Sequence, residues 1–288
     1  MPLKPAAAEP ETVEEAVAVL GEHGDEAKIV AGATAMTIML RQRLIDPEVL
    51  VFLHRVRELR EIGRDGATVR IEALATHHTV ASSPVVRQAV PALADVFSVV
   101  GNVRVRSVAT VGGVLAEADY ASDPPCALLA LGAEIEVRGP NPRTLPIDGF
   151  FQGFYETALE PDELLTAVRV PVPAPGTTAA YEKYRTRSSE DRPCVGVFAA
   201  TRLDGSGRCE ELRVAVGAAS ETPQRFVDLE AAAVGRPLDE TLAAEVAEGY
   251  AERIDTLDDM RGSAWYRTEM IRVWVRRTIL RAATGIAA

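Results

Sequence analysis

The sequence predicts an α+β protein built in three parts. Three observations carry that expectation. The first sixty residues alternate strand and helix patterns, as a βαβ-like unit does. A proline- and glycine-rich stretch, VPVPAPGTT, reads as a linker. After it come three strand patterns in succession, then two helices. The expected boundaries are 1–58, 59–174 and 175–288.

Each element follows from local pattern. PETVEEAVAVLGEHG has Thr12 and Glu15 at capping-box spacing and an apolar stripe of Val13, Ala16, Val17 and Leu20, so it is a helix. AKIVAGAT is a short strand entering a glycine turn, and TAMTIMLRQRL resumes helical spacing. EVLVFLHRV and ATVRIEALAT are strands. SPVVRQAVPALADVFSVVG is a helix interrupted at Pro91, because proline breaks a helix interior. In SDPPCALLALG, Ser122 or Asp123 caps a helix that has Pro124 at its first position and ends at Gly132. AEIEVRG and ELLTAVRVPVP are strands. AAYEKYRTR, CVGVFAATRLD and ELRVAVGAAS form a meander, with DGSG turning between the second and third. Helices over 238–254 and 263–283 close the chain.

Composition narrows the function. The 288 residues are 47% apolar and 25% charged, an ordinary globular balance, and the net charge of −11 argues against nucleic acid or an anionic membrane as partner. No apolar run approaches the roughly 18–20 residues that span a bilayer. The N-terminus lacks the apolar segment of a secretory signal, so a cytoplasmic protein is expected. Cys126, Cys194 and Cys209 lie far apart and form no CxxC pair, so neither an intrinsic iron–sulfur cluster nor a structural zinc is expected.

Two glycine turns carry the candidate chemistry. In IVAGATA, small residues at Ala31, Gly32 and Ala33 let an anion approach the main chain at a helix start, with the Thr34 hydroxyl as a further donor. The alternative is a tight strand-to-helix turn that needs small residues for packing. The spacing is neither a dinucleotide G-x-G-x-x-G nor a P-loop. TVGGVLAEADYASDPP offers Thr110, Gly112 and Gly113, followed by Glu117, Asp119 and Asp123. Asp123 either caps the helix before Pro124 or accepts hydrogen bonds from ligand hydroxyls such as ribose. On the second reading the amides serve phosphate and the acids serve sugar.

Four segments then occur in order: AGATA, VRSVATVGGVLAEADYASDPPCALLALGAEIEV, YEKYRTRSSEDRPCVGVFAA and GSAWYRTEMIRVWVRR. Together they resemble the FAD-binding medium subunit of the molybdenum hydroxylases, the group of carbon monoxide dehydrogenase and xanthine dehydrogenase, over nearly the whole chain. The resemblance implies a two-part FAD-binding domain followed by a C-terminal α+β domain. It implies FAD contacts at Val30, Ala31, Gly32, Ala33, Thr34 and Ala35, at Thr110, Gly113 and Asp123, at Leu165, and at Lys183 beside the flavin ring. A cation there favours an anionic reduced flavin; the plain alternative for Lys183 is a surface lysine lying along a strand. The sequence departs from the family pattern at Ala33 and Ala35 in the first turn, and at Val114 and Glu117 after the second.

The resemblance also implies a role and partners. Electrons from two [2Fe–2S] clusters on a small subunit pass through FAD here to a quinone, NAD or dioxygen. A large subunit holds the molybdenum cofactor, and the assembly is a dimer of heterotrimers. The rivals are a stand-alone FAD-dependent oxidoreductase and a scaffold that has lost its flavin. His77-His78 makes no ligand pair, since adjacent side chains diverge. The arginines at 272, 276, 277 and 281 form a solvated or interface face, and GSAWYR has no mechanism readable from the sequence.

Overall fold

The computed structural model describes residues 5–285. Its first sheet comes from β1 (Ala6–Ala8), β2 (Ala27–Val30) and β3 (Val49–Phe52), ordered β1-β3-β2 with both pairings parallel. Between them run α1 (Val13–His23) and α2 (Thr34–Arg41). Thr12 caps α1 by accepting from the Glu15 amide at 3.1 Å, and the Glu15 carboxylate reaches back to the Glu11 amide at 2.7 Å. Val13, Ala16 and Leu20 face the buried Val49 and Val51. By contrast, α2 buries none of its residues. The alanine strand β1 has no strand signature of its own; its ladder with β3 makes it one.

A five-stranded antiparallel sheet follows, ordered β4-β5-β10-β6-β7. Its members are β4 (Ile62–Asp65), β5 (Thr68–Glu72), β6 (Glu134–Arg138), β7 (Arg143–Pro146) and β10 (Leu164–Pro171), with a small hairpin of β8 (Phe151–Gly153) and β9 (Glu156–Thr157) inserted. Six helices fill the gap after β5: α3 (His77–Ser82), α4 (Pro84–Ala89), α5 (Pro91–Ser98), α6 (Val103–Arg106), α7 (Val111–Glu117) and α8 (Asp123–Leu131). The break between α4 and α5 falls at Val90, just before Pro91, where the sequence predicts it. Consecutive residues of β10 face opposite sides, so Leu164 enters the first core and Leu165 the second; the register shift between Leu165 and Ala167 then lets Leu165 share the middle core with Val168 and Val170.

The third part is the meander β11 (Thr178–Tyr184), β12 (Val195–Leu203) and β13 (Cys209–Gly217), backed by α9 (Val227–Ala233), α10 (Glu240–Arg253) and α11 (Ala264–Thr284). All nine residues of α8 are buried, because it packs on β12 and β13 as well as on α5 and β10. The middle core therefore continues into Phe198, Ala200 and Ala215 of the meander. The arginines of α11 meet acids: Arg272 pairs with Glu248 and Glu269, Arg276 with Glu240, and Arg281 with Glu182. Arg277 lies over the Trp274 ring.

GSAWYR finds its explanation here. Ser263 caps α11 by accepting from the Tyr266 amide, Tyr266 bonds the Tyr184 hydroxyl, and Trp265 is exposed. Arg267 is 0% exposed and spreads its guanidinium over the carbonyls of Cys194 (3.1 Å), Leu257 (2.7 Å) and Gly262 (2.8 Å) and the Asp259 carboxylate (2.7 Å).

Candidate cofactor-binding site

The first turn leaves β2 at the buried Val30 and passes through Ala31, Gly32 and Ala33 into α2. Ala33, the N-cap, is left-handed at φ 58° and offers no capping side chain. Among the described residues no acceptor is found for the amides of Gly32 to Met36. They form an uncapped helix start, with Thr34 and Ala35 at its first positions. A Cβ on Gly32 would lie 2.0 Å from the Val108 carbonyl oxygen, so glycine here lets the first turn press against the segment leading into the second. Left-handed backbone is unfavourable for alanine by about 1 kcal/mol or more, partly offset by glycine's freer unfolded state. Ala33→Gly is accordingly expected to raise stability by roughly 0.5–1 kcal/mol, read from the urea midpoint. A lowered midpoint would refute the strain argument.

The second turn is arranged differently. Thr110 is the N-cap of α7, and its Oγ1 accepts from the Gly113 amide at 3.1 Å. The Val111 and Gly112 amides donate to the Ala75 and Ala73 carbonyls, and Val114 to that of Thr110. These amides are thus taken by the protein, the Gly113 N–H among them. The Thr110 hydroxyl proton remains free to donate. Val114 is buried in the middle core, so no polar contact arises there. His77 buttresses this turn through Nε2 at 3.3 Å from the Thr110 carbonyl, edge-on to Phe97. Burial lowers its imidazole to about 4, so it is neutral and structural.

Between the turns lies a cleft of about 220 Å³. Ala31 and Gly32 line one side, and Ser107, Val108 and Thr110 the other. His54, Arg60, Leu74 and Thr76 close it. No carboxylate faces it, although the chain is strongly acidic. His54, Arg60 and Thr76 carry no sequence signal: each sits in a turn or cap with no motif around it.

Asp123 and Lys183 meet beside the Val99 carbonyl rather than at the cleft. Lys183 Nζ lies 2.8 Å from Asp123 Oδ2 and donates to Val99 O at 3.0 Å, while the Tyr181 hydroxyl donates to Asp123 Oδ1 at 2.7 Å. The two charged side chains are 4% and 3% exposed, which excludes a surface lysine lying along its strand. Burial pushes the Asp123 carboxyl up, and Lys183 and Tyr181 oppose that shift. Asp123 stands at the first turn of α8, following the N-cap Ser122. One ammonium proton of Lys183 remains without a partner among the described residues. Leu165 is not brought to the cleft; strand alternation in β10 points it into the middle core.

Glu117, at the end of α7, shares Arg192 with Asp119. Arg192 is 2.6 Å from Asp119 Oδ2 and 3.9 Å from Glu117 Oε1. Burial first, then the Asp119 charge, raise the Glu117 carboxyl from 4.5 to about 7, against the pull of Arg192. A carboxyl raised on folding contributes stability that is present below its unfolded value and lost as pH climbs through the folded one. Glu117→Gln should match the unsubstituted chain near pH 4.5 and exceed it at pH 8 by on the order of 2–3 kcal/mol. Melting temperature against pH reads this directly, and a constant difference across the range would contradict it.

Comparison with known proteins places this geometry. Residues 4–173 match the FAD binding domain in molybdopterin dehydrogenase, and residues 179–282 the CO dehydrogenase flavoprotein C-terminal domain. The carbon monoxide dehydrogenase medium chain of Hydrogenophaga pseudoflava is 34% identical over 94% of each chain. The nicotine 6-hydroxylase medium subunit of Paenarthrobacter nicotinovorans is 32% identical over 96% of each. The solved carbon monoxide dehydrogenase of H. pseudoflava superposes with a TM-score of 0.95 at 34% identity, covering 100% of both chains. Quinoline 2-oxidoreductase from Pseudomonas putida 86 superposes with 0.92 at 31% identity, covering 99% of both.

Proposed function

Since the chain belongs to the FAD-binding medium subunits of the molybdenum hydroxylases, we propose that it is the electron exit of a multi-subunit oxidoreductase. It receives electrons from [2Fe–2S] clusters on a small partner subunit and delivers them to a quinone, NAD or dioxygen. The observation that carries the FAD part is the cleft between the turns: Ala31 and Gly32, the latter with an unbonded amide on the approach to α2, line it together with Thr110 and Arg60, and no carboxylate is among its described lining residues. Those groups suit a diphosphate. Bound FAD supplies the capacity to accept electrons singly and release them as a pair.

The chain's own residues bind and tune. The amides from Gly32 to Ala35 and the Thr110 hydroxyl would hold the diphosphate, and Val30 and Ala31 fix the turn that presents them. Lys183 would place its remaining proton and its charge beside the flavin ring, held in register by Asp123 and Tyr181. Leu165 would act from the middle core, by anchoring β10 there. Gly113 would act through Thr110, whose hydroxyl it orients. The division at 1–58, 59–174 and 175–288 belongs to the same proposal, one principal sheet to each part.

A large molybdenum subunit completes the assembly, as a dimer of heterotrimers. Denaturing release of flavin from the natively assembled protein tests the cofactor, with one FAD per chain expected. Native purification from the source tests the partners. Recovery of the chain alone, active with NAD(P)H, would instead favour a stand-alone FAD-dependent oxidoreductase. Among the described residues no helix is long and apolar enough to cross a membrane.

A further inference from the structure

We infer that Arg60 is the counter-charge for the cofactor's diphosphate, an inference that rests on the FAD reading of the cleft. Arg60 is the one lysine or arginine lining the cleft, and no carboxylate lies within ion-pair distance of it among the described residues. Arg57 and Arg64 nearby also lack a carboxylate partner among the described residues, whereas Arg55 pairs with Glu9 and Arg70 with Glu72 and Glu136. What sets Arg60 apart is its place: an exposed guanidinium-bearing side chain on the rim of the cleft that Gly32 and Thr110 line.

The side chain starts from a fixed point. Leu59 is buried and its carbonyl accepts from the Leu74 amide at 2.6 Å; the Glu61 carbonyl accepts from the Glu72 amide at 2.9 Å. Arg60 is therefore clamped on both sides by backbone bonds to the second sheet. One guanidinium nitrogen donates to the His54 carbonyl at 3.0 Å. The other donors of the fork remain available, and Gly32, whose amide is also unbonded, lines the same cleft. A guanidinium and a backbone amide sharing one cleft are a recurring way to hold phosphate oxygens.

The test uses the full chain stripped of flavin. FAD and riboflavin, which lacks the diphosphate, are titrated against the unsubstituted chain, Arg60→Met and Arg60→Lys at several salt concentrations. Arg60→Met is expected to weaken FAD by roughly 10- to 100-fold and to flatten its salt dependence, leaving riboflavin unchanged. Arg60→Lys should fall between, since it keeps the charge and loses the fork. Equal loss for FAD and riboflavin, or a weakened FAD with its salt dependence intact, would overturn the assignment. So would an unchanged FAD affinity. If the unsubstituted chain takes up no FAD, the cofactor reading itself fails.

Discussion

Gly32→Ala should abolish FAD uptake. The added methyl would sit 2.0 Å from the Val108 carbonyl oxygen and 3.0 Å from Ala109 Cα, both backbone atoms that no rotamer change can move aside. The first turn must retreat from the second, and the cleft they line together changes shape. Overpacking of this kind destabilises by about 1–3 kcal/mol, and more where backbone is involved. The effect on cofactor binding is larger, because a donor moved by an ångström no longer meets its acceptor. The checks are flavin content of the purified chain and its melting temperature. Retention of one FAD per chain would show that the close approach of the turns is immaterial to binding.

Arg267→Met should lose about 3–5 kcal/mol of stability, the range for breaking a buried charged pair by removing one partner. Three carbonyls and one carboxylate oxygen would each lose a charged donor at once. Asp259 would keep Arg261 and the Tyr120 hydroxyl, and the Gly262 carbonyl would keep the Asp259 amide, so the loss falls mainly on the carbonyls of Cys194 and Leu257. Lysine cannot restore them, since a single ammonium does not span the fork. Chemical denaturation of both variants is the measurement. A loss under 1 kcal/mol in Arg267→Met would mean that water replaces the guanidinium.

The elements with strong local signatures were legible in the sequence. The Thr12 cap, the break at Pro91, the α8 helix and the meander all announce themselves through short-range chemistry. The alanine strand β1 did not, because its partner β3 lies far along the chain, and neither did α3, α6 and α7, whose local caps at Thr76, Asn102 and Thr110 precede helices too short to show a periodic apolar stripe. The same division runs through the site. The glycine turns were visible as sequence, while which of their amides stay open was not. In the second turn those amides go to Ala73 and Ala75. Asp123 and Lys183 were each identifiable, but their pairing across sixty residues depends on β11 crossing the start of α8. Arg60 could not be told from any other arginine until the fold placed it on the cleft.

The burial of α8 on every side has a consequence for the VPVPAPGTT linker. That helix is wedged between the middle sheet and the meander, with Cys126 against Gly217 and its thiol donating to the Ala215 carbonyl. The Asp123–Lys183 pair spans the same seam. What joins the two halves is therefore this shared interior, and the peptide between them is almost redundant as a tether. A chain nicked in that stretch would stay in one piece, and Lys183 would keep its place beside Asp123.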